Sequence, residues 1–265
     1  SPHAHHAREH GGGGAAAALP PRQAAALTPR ITVTRTKADV GGRYAAGRGR
    51  CAFFQARRQP GFCKTRSIRM YVSDERNMTL LMDFYELTME SVYFDAGRTE
   101  EIAVFDMFFR RSPDGGGFAI MAGVEQVVKY LENLEFTDND IEYLRTKNIF
   151  DEKFLEYLRN FKFECDVWAI PEGTPVFPGE PILTVRGPVV QAQFVETMIL
   201  LTINHQSLIA TKANRIVRAA DGRAVMEFGS RRAQGGTAAA DGARAAYIAG
   251  CSGTACTITD EMYKV

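Results

Sequence analysis

Two arginines, Arg231 and Arg232, follow directly on an apolar run and a Gly-Ser turn in the stretch FGSRRAQGG at 228–236. Arginine presents a planar fork of donors that matches phosphate oxygens. At the end of a buried strand AVMEF (224–228), where α/β proteins place their sites, such a pair suits a phosphorylated ligand. Two surface arginines in a polar loop would look the same. A second stretch, AGCSGTAC at 249–256, follows the apolar run Ala-Ala-Tyr-Ile. That run predicts a strand leading into a small-residue turn, whose backbone N–H groups can face an anion. No GK[ST] follows and the glycine spacing fits no dinucleotide fingerprint, so close packing of a strand on a helix explains the glycines equally well.

A third stretch, DFYELTM at 83–89, places Tyr85 on an amphipathic helix, with Phe84 and Leu87 facing one way and Asp83 and Glu86 another. A helical tyrosine serves either as a core or rim residue or as a stacking face for a flat ligand. His205 is the one histidine outside the first ten residues. It has the chemistry of a general base, but alone in a long apolar helix it reads as a hydrogen-bonded structural residue. Lys212, Arg215 and Arg218 recur at helical spacing and read as a solvated or helix-terminal basic stripe.

The elements that must position these groups follow from periodicity. Leu80, Leu81, Phe84, Leu87 and Tyr93 predict a helix over 78–96 ending near Gly97. EIAVFDMFF (101–109) predicts a strand, SPDGGG (112–117) a turn, and Val124, Val127, Val128 and Leu131 a helix over 123–134. Thr137 is a natural N-cap for the next helix, and another covers 151–160. Prolines 171, 175, 178, 181 and 188 divide 165–188 into short strands. A helical stretch from Val189 to Ala220, broken near Asn204, leads to the strand at 224–228. The order helix, strand, helices, strands, helix, strand points to an α+β layer followed by an α/β unit.

Composition supports a soluble globular protein of one or two domains, with 45% hydrophobic and 24% charged residues in 265. Its formal charge of +1 hides a division. Residues 1–70 carry 13 Lys/Arg against two acids, and residues 71–265 hold 19 basic against 29 acidic residues. The basic segment, 1–69, is low in complexity and lacks apolar periodicity, so it is expected to be disordered. It reads as upstream sequence ahead of a start at Met70, as a targeting peptide, or as a basic arm for nucleic acid. The apolar runs are too short for a membrane-spanning helix. Cys51, Cys63, Cys165, Cys251 and Cys256 form no CxxC pair, which fits a reducing compartment better than a disulfide framework or a zinc site.

Six segments taken together resemble one family. MDFYELTM, FDMFFRRSPDGGGFAIMAG, PEGTPVFPGEPILTV, TINHQSLIATKANR, MEFGSRRAQG and GARAAYIAGCSGT are similar to successive blocks of bacterial nicotinate phosphoribosyltransferases, in the family's order. The resemblance runs over about residues 75–265. It implies an α+β domain over 70–200, then the first strands of an incomplete α/β barrel over 201–265. It further implies transfer of the phosphoribosyl group of phosphoribosyl pyrophosphate (PRPP) to nicotinate in NAD salvage. ATP would be a co-substrate, Mg²⁺ would accompany the phosphates, and the enzyme would be a cytoplasmic homodimer with no membrane or nucleic-acid partner.

Carried over by position, Tyr85 and Phe228 would sandwich the pyridine ring, Tyr85 reaching in from a partner subunit. Arg231, with Arg232 beside it, would meet phosphate. Asp83 would be a polar neighbour, and Gly253 and Thr254 would border the phosphoribosyl site. The family's phosphorylated histidine lies in a GTMAHS-like segment expected beyond Val265, so no catalytic residue is assigned within this chain, and His205 is not its counterpart. The resemblance thus describes an N-terminal fragment, poorly soluble and inactive alone. Gly236-Thr237 stands where the family often has Pro-Asp, and the family often has Asn near Cys256. A nicotinamide or quinolinate phosphoribosyltransferase is one alternative, and a non-catalytic product or basic-tail interaction module is another.

Overall fold

The computed structural model describes residues 77–265 and the backbone of 31–33. The expectations for the rest of the N-terminal tail, for a start at Met70, and for Cys51 and Cys63 lie outside the described residues. Strand β1 is the short segment Ile31–Val33.

Helix α1 spans Phe84–Asp95, so it begins six residues later than the apolar spacing predicts. Residues before it form a turn in which the Leu81 amide donates to the Met78 carbonyl. The buried Thr79 hydroxyl donates to the Glu135 carbonyl at 2.7 Å, and this non-local bond draws 77–80 out of the helical path. Strand β2 (Ile102–Met107), strand β3 (Ala119–Ile120) and helix α2 (Val124–Glu132) follow. Helix α3 (Asp138–Arg145) opens on Thr137, whose hydroxyl accepts from the Asp140 amide while Asp140 accepts from the Thr137 amide. This reciprocal cap is the local signal read in the sequence. Helix α4 (Glu152–Arg159) is capped by Asp151, which accepts from the Phe154 amide at 2.8 Å.

Strands β4 (Asp166–Ala169), β5 (Pro175–Val176) and β6 (Leu183–Pro188) complete the antiparallel layer. One sheet has the order β1-β4-β6-β2, with Val104 opposite Arg186 and Val167 opposite Val185. β3 pairs with β5 apart from it. The core beneath is built from Leu87, Leu131, Ile141, Leu144, Phe154, Leu155, Leu158, Val185 and Phe194. Phe136, Phe161 and Phe194 meet one another at ring-centroid distances of 5.3–5.6 Å, two of the three pairs edge to face.

The long helical stretch divides at Val195, not at Asn204. Helix α5 (Val189–Phe194) ends there and α6 (Glu196–Ala219) runs unbroken for 24 residues, about 36 Å of helix. Asn204 lies within regular turns, and Val195, fully buried with ψ near 0°, is where the chain changes direction. α6 serves two cores. Ile199 and Ile203 belong to the antiparallel domain, while Ala210 and Ala213 join Ile120, Ala245, Ala246 and Cys251 in a second, alanine-rich core.

After α6 come β7 (Met226–Glu227), helix α7 (Gly236–Ile248), β8 (Gly253–Thr254) and α8 (Thr257–Tyr263). β7 and β8 are parallel, with Met226 opposite Gly253 and Glu227 opposite Thr254, so α7 is a crossover helix. Two expectations are corrected here. The run Ala-Ala-Tyr-Ile is the last turn of α7 and not a strand, because seven of the thirteen residues 236–248 are strong helix formers packed against α6. The expected buried strand at 224–228 is only two residues long and open on one side, with Met226 50% and Phe228 58% exposed.

Candidate functional site

Strand β7 delivers Glu227 and then the turn that carries the predicted phosphate ligands. Gly229 leads into a single 3-10 turn, Ser230–Arg232, closed by the Arg232 amide donating to the Gly229 carbonyl at 2.8 Å. Both arginines are exposed, and neither takes part in an ion pair among the described residues. Gly235, with φ of 117°, then turns the chain into the first residue of α7. The N-terminus of a 13-residue helix therefore lies four residues beyond Arg232, where the helix dipole favours an anion. This helix end was missed in the sequence because the alanines were read as a strand.

The parallel pairing sets Gly253 and Thr254 beside Met226 and Glu227. The Ser252 amide donates to the Val225 carbonyl at 2.8 Å and the Ala255 amide to the Glu227 carbonyl at 2.9 Å. A methyl group on Gly253 would stand 3.2 Å from the terminal carbon of the flexible Met226 side chain. Phe228, Arg231, Arg232, Gly253 and Thr254 are thus brought to one end of two adjacent strands. A small-residue anion cradle, expected at 249–256 after a strand, is replaced by a helix C-terminus, a turn at Gly250 with φ of 110°, and the short strand β8.

Asp83 and Tyr85 occupy a different place. Asp83 is the residue before α1; its backbone amide donates to the Thr197 hydroxyl at 3.3 Å, and its side chain makes no cap hydrogen bond. Tyr85 is 50% exposed, and neighbouring Glu196 raises its phenol pKa. Both therefore sit at the first turn of α6. The start of α7 meets α6 at His205, whose Nε2 lies 3.3 Å from the Ala238 carbonyl oxygen. Tyr85 lies by the first turn of α6, whereas Phe228 directly follows strand β7. His205 has the structural role expected of it.

The polar face expected at Glu86 is not solvated. Glu86 and Glu90 are both 0% exposed, turned inward on α1. One Glu86 oxygen accepts from the Thr197 hydroxyl at 2.9 Å. Its other oxygen, both Glu90 oxygens and the Tyr130 hydroxyl have no hydrogen-bond partner among the described residues. Burial pushes the Glu86 carboxyl up to about 7 and the Glu90 carboxyl up to about 10. The periodicity of 83–89 placed Glu86 with Asp83, and nothing local marked it as buried.

The basic stripe is likewise engaged. Lys212 pairs with Asp114 at 2.6 Å, and Arg215 donates to the Pro113 carbonyl at 2.8 Å. Lys212 holds the Asp114 carboxyl below its usual range. These bonds pin the 3-10 turn Pro113–Gly115 onto α6. A buried arginine that the sequence reading missed, Arg244 on α7, pairs with Glu172 at 2.7 Å and Glu125 at 2.6 Å.

The profile of the nicotinate phosphoribosyltransferase (NAPRTase) N-terminal domain matches residues 80–204. Nicotinate phosphoribosyltransferase pncB2 of Mycobacterium tuberculosis is 44% identical over 186 residues, covering 70% of this chain and 40% of the relative. The crystal structure of human nicotinic acid phosphoribosyltransferase superposes with a TM-score of 0.64 at 35% identity, over 68% of this chain and 37% of that one. Nicotinate-nucleotide pyrophosphorylase of Pyrococcus furiosus superposes with a TM-score of 0.55 at 26% identity, over 75% of this chain and 43% of that one. The chain spans about two fifths of the length of these relatives. With six sequence blocks in order and the same N-terminal architecture, the chain belongs to the nicotinate phosphoribosyltransferase family and carries its N-terminal domain at residues 80–204.

Proposed function

We propose that this chain supplies part of the substrate site of a nicotinate phosphoribosyltransferase, which forms nicotinate mononucleotide and pyrophosphate from nicotinate and PRPP in NAD salvage. The observation that carries the reading is the convergence of Phe228, Arg231 and Arg232 with Gly253–Thr254 beside the N-terminus of α7. The β7–α7–β8 unit is read as the opening of an α/β barrel, with the functional division falling within α6 after Leu200.

Each group has a task in that reaction. As pyrophosphate leaves, negative charge grows on the departing oxygens and the ribose gains oxocarbenium character. Arg231, Arg232 and the N-terminal end of the α7 dipole stabilise that charge. Phe228 offers one face of a slot for the flat acceptor, and Tyr85 of a partner subunit in a homodimer offers the other. Asp83 orders the entrance to α1 next to Tyr85.

No group of three or more His, Cys, Asp and Glu side chains suited to a metal ion occurs among the described residues. Mg²⁺ is proposed to arrive on the phosphates of PRPP or ATP, as the resemblance implies. ATP is proposed as the co-substrate, and the cytoplasm as the site of action. No helix among the described residues is long and apolar enough to cross a membrane.

Because the match covers part of the relatives' length, ligand binding is the direct test. Calorimetric titration with Mg²⁺–PRPP, followed by nicotinate, nicotinamide and quinolinate in turn, should show PRPP binding that Arg231→Ala weakens, and preference for nicotinate. Preference for either other acceptor would favour the related enzymes. Absence of PRPP binding by the folded wild-type chain would overturn the assignment. Salt-sensitive nucleic-acid binding that depends on residues 1–69 would favour the interaction-module reading.

A further inference from the structure

Glu227 lies between the two halves of the proposed phosphate site. Its Oε1 accepts a hydrogen bond from the Gly229 amide, and its Oε2 accepts from the Thr254 hydroxyl at 2.5 Å. Thr254 Oγ1 accepts in turn from the Cys256 amide at 2.9 Å. That second bond orients the hydroxyl so that its proton points to the carboxylate. The result is one directed chain from the strand end of β8 to the turn after β7.

Gly229 is the residue that the Glu227 carboxylate approaches. Its φ of −83° is open to any residue, so conformational freedom does not explain it. A Cβ there would stand 2.7 Å from Glu227 Oε1. A side chain there would have to displace the end of the Glu227 side chain from this position. β7 and β8 are two residues each, and so short a ladder holds its strand ends weakly without a side-chain tie.

We propose that Glu227 is a positioning residue: by accepting from Gly229 and Thr254 together, it fixes the turn bearing Phe228 and Arg231 against the neighbouring strand end. This rests on the phosphoribosyltransferase reading of the site. A carboxylate beside a diphosphate is electrostatically unfavourable unless its charge is taken up by donors. Neither Arg231 nor Arg232 pairs with it among the described residues, which leaves both arginines for ligand. The two neutral donors satisfy Glu227 instead.

The test uses the whole chain and two readouts: protection of the Gly229 amide by hydrogen-exchange NMR without ligand, and Mg²⁺–PRPP affinity by calorimetry. Glu227→Ala should lower both, the affinity by roughly tenfold for one lost charge-assisted bond. Glu227→Gln should restore much of each, since its amide oxygen still accepts from Gly229 and its NH₂ can donate to Thr254. Gly229→Ala, which leaves every polar group in place, should reproduce the affinity loss. The double variant should be little worse than either single change. Lost affinity with an unchanged Gly229 amide would make Glu227 a direct ligand group and sink the proposal. A changed amide with unchanged affinity would reduce it to a fold contact and sink it as well. Failure of the wild-type chain to bind PRPP, with the amide protected, would strike the phosphoribosyl reading itself.

Discussion

Arg244 Nη2 donates to Glu172 Oε2 at 2.7 Å, and Glu172 Oε1 accepts from the amides of Gly123 and Val124 at 2.7 and 2.9 Å. One carboxylate therefore caps the N-terminus of α2 and ties it to the middle of α7. Arg244 is almost fully buried and donates to Glu125 as well, with its guanidinium 5.3 Å from the Tyr263 ring centre. The pair joins the antiparallel domain to the crossover helix that opens beside Arg232.

Removing Arg244 leaves the partly buried Glu172 carboxylate with its two amide donors and no cation. Arg244→Met is expected to destabilise the chain by about 1.5–3 kcal/mol in chemical denaturation, the range of hydrogen bonds to a charged group. Glu172→Gln in the same background should recover a large part of that, because the uncompensated carboxylate is gone while an oxygen remains to cap α2. A double variant as unstable as Arg244→Met alone would show that the ion pair is not what joins the two parts.

The buried carboxyls on α1 predict how stability varies with pH. Glu86 and Glu90 titrate from an ordinary value of 4.5 when unfolded to about 7 and about 10 when folded. Between those values the unfolded chain gives up protons that the folded chain keeps, so stability falls as pH rises. The loss should begin near pH 4.5, lose its Glu86 part above about 7, and continue through Glu90 to about 10. Glu90→Leu should stabilise the protein at pH 8 by about 1–3 kcal/mol, since no hydrogen bond is lost with the carboxyl. Melting curves from pH 5 to 9 that show no difference in slope between wild type and Glu90→Leu would contradict the burial of Glu90.

These cases show what local sequence carries. The Thr137 cap, the turn after Phe228 and the apolar faces of α2 and α4 each depend on residues within a few positions, and all are legible. Glu172 meets Arg244 across 72 residues, and Glu227 meets Thr254 across 27, so neither pairing leaves a periodic trace. The run Ala-Ala-Tyr-Ile misleads because alanine is apolar enough to suggest a strand while its intrinsic preference is helical. Glu86 misleads in the opposite direction, since a charged residue on a helix is ordinarily solvated. Arg231 is legible from its side-chain type and Phe228 only through the family resemblance, whereas the helix end beside them depends on where α7 starts.

Gly187 tests the register of the antiparallel sheet. A Cβ at this position would stand 2.4 Å from Cys165 Sγ and 2.9 Å from the Cys165 Cα. Part of that clash is with backbone, which cannot rotate away. Gly187→Ala should destabilise by about 1–3 kcal/mol, whereas Gly117→Ala, with open space around its Cβ, should change little. Equal effects at the two positions would contradict the pairing of β4 with β6.

The two arginines after Phe228 should differ from the basic stripe on α6 in what their loss affects. Arg231→Ala is expected to weaken Mg²⁺–PRPP binding by roughly ten- to hundredfold, the range of a lost hydrogen bond to a charged group. Arg231→Lys should recover only part of it, because an ammonium cannot make the paired contact of a guanidinium fork. Stability should scarcely move in either variant, since Arg231 is exposed and unpaired among the described residues. Arg215→Ala should do the reverse, loosening the Pro113 turn that it bonds while leaving PRPP affinity near the wild-type value. Calorimetric affinity and melting temperature measured on the same three variants separate the two roles. An Arg231→Ala protein with wild-type affinity would remove the phosphate-binding role from the strand end altogether.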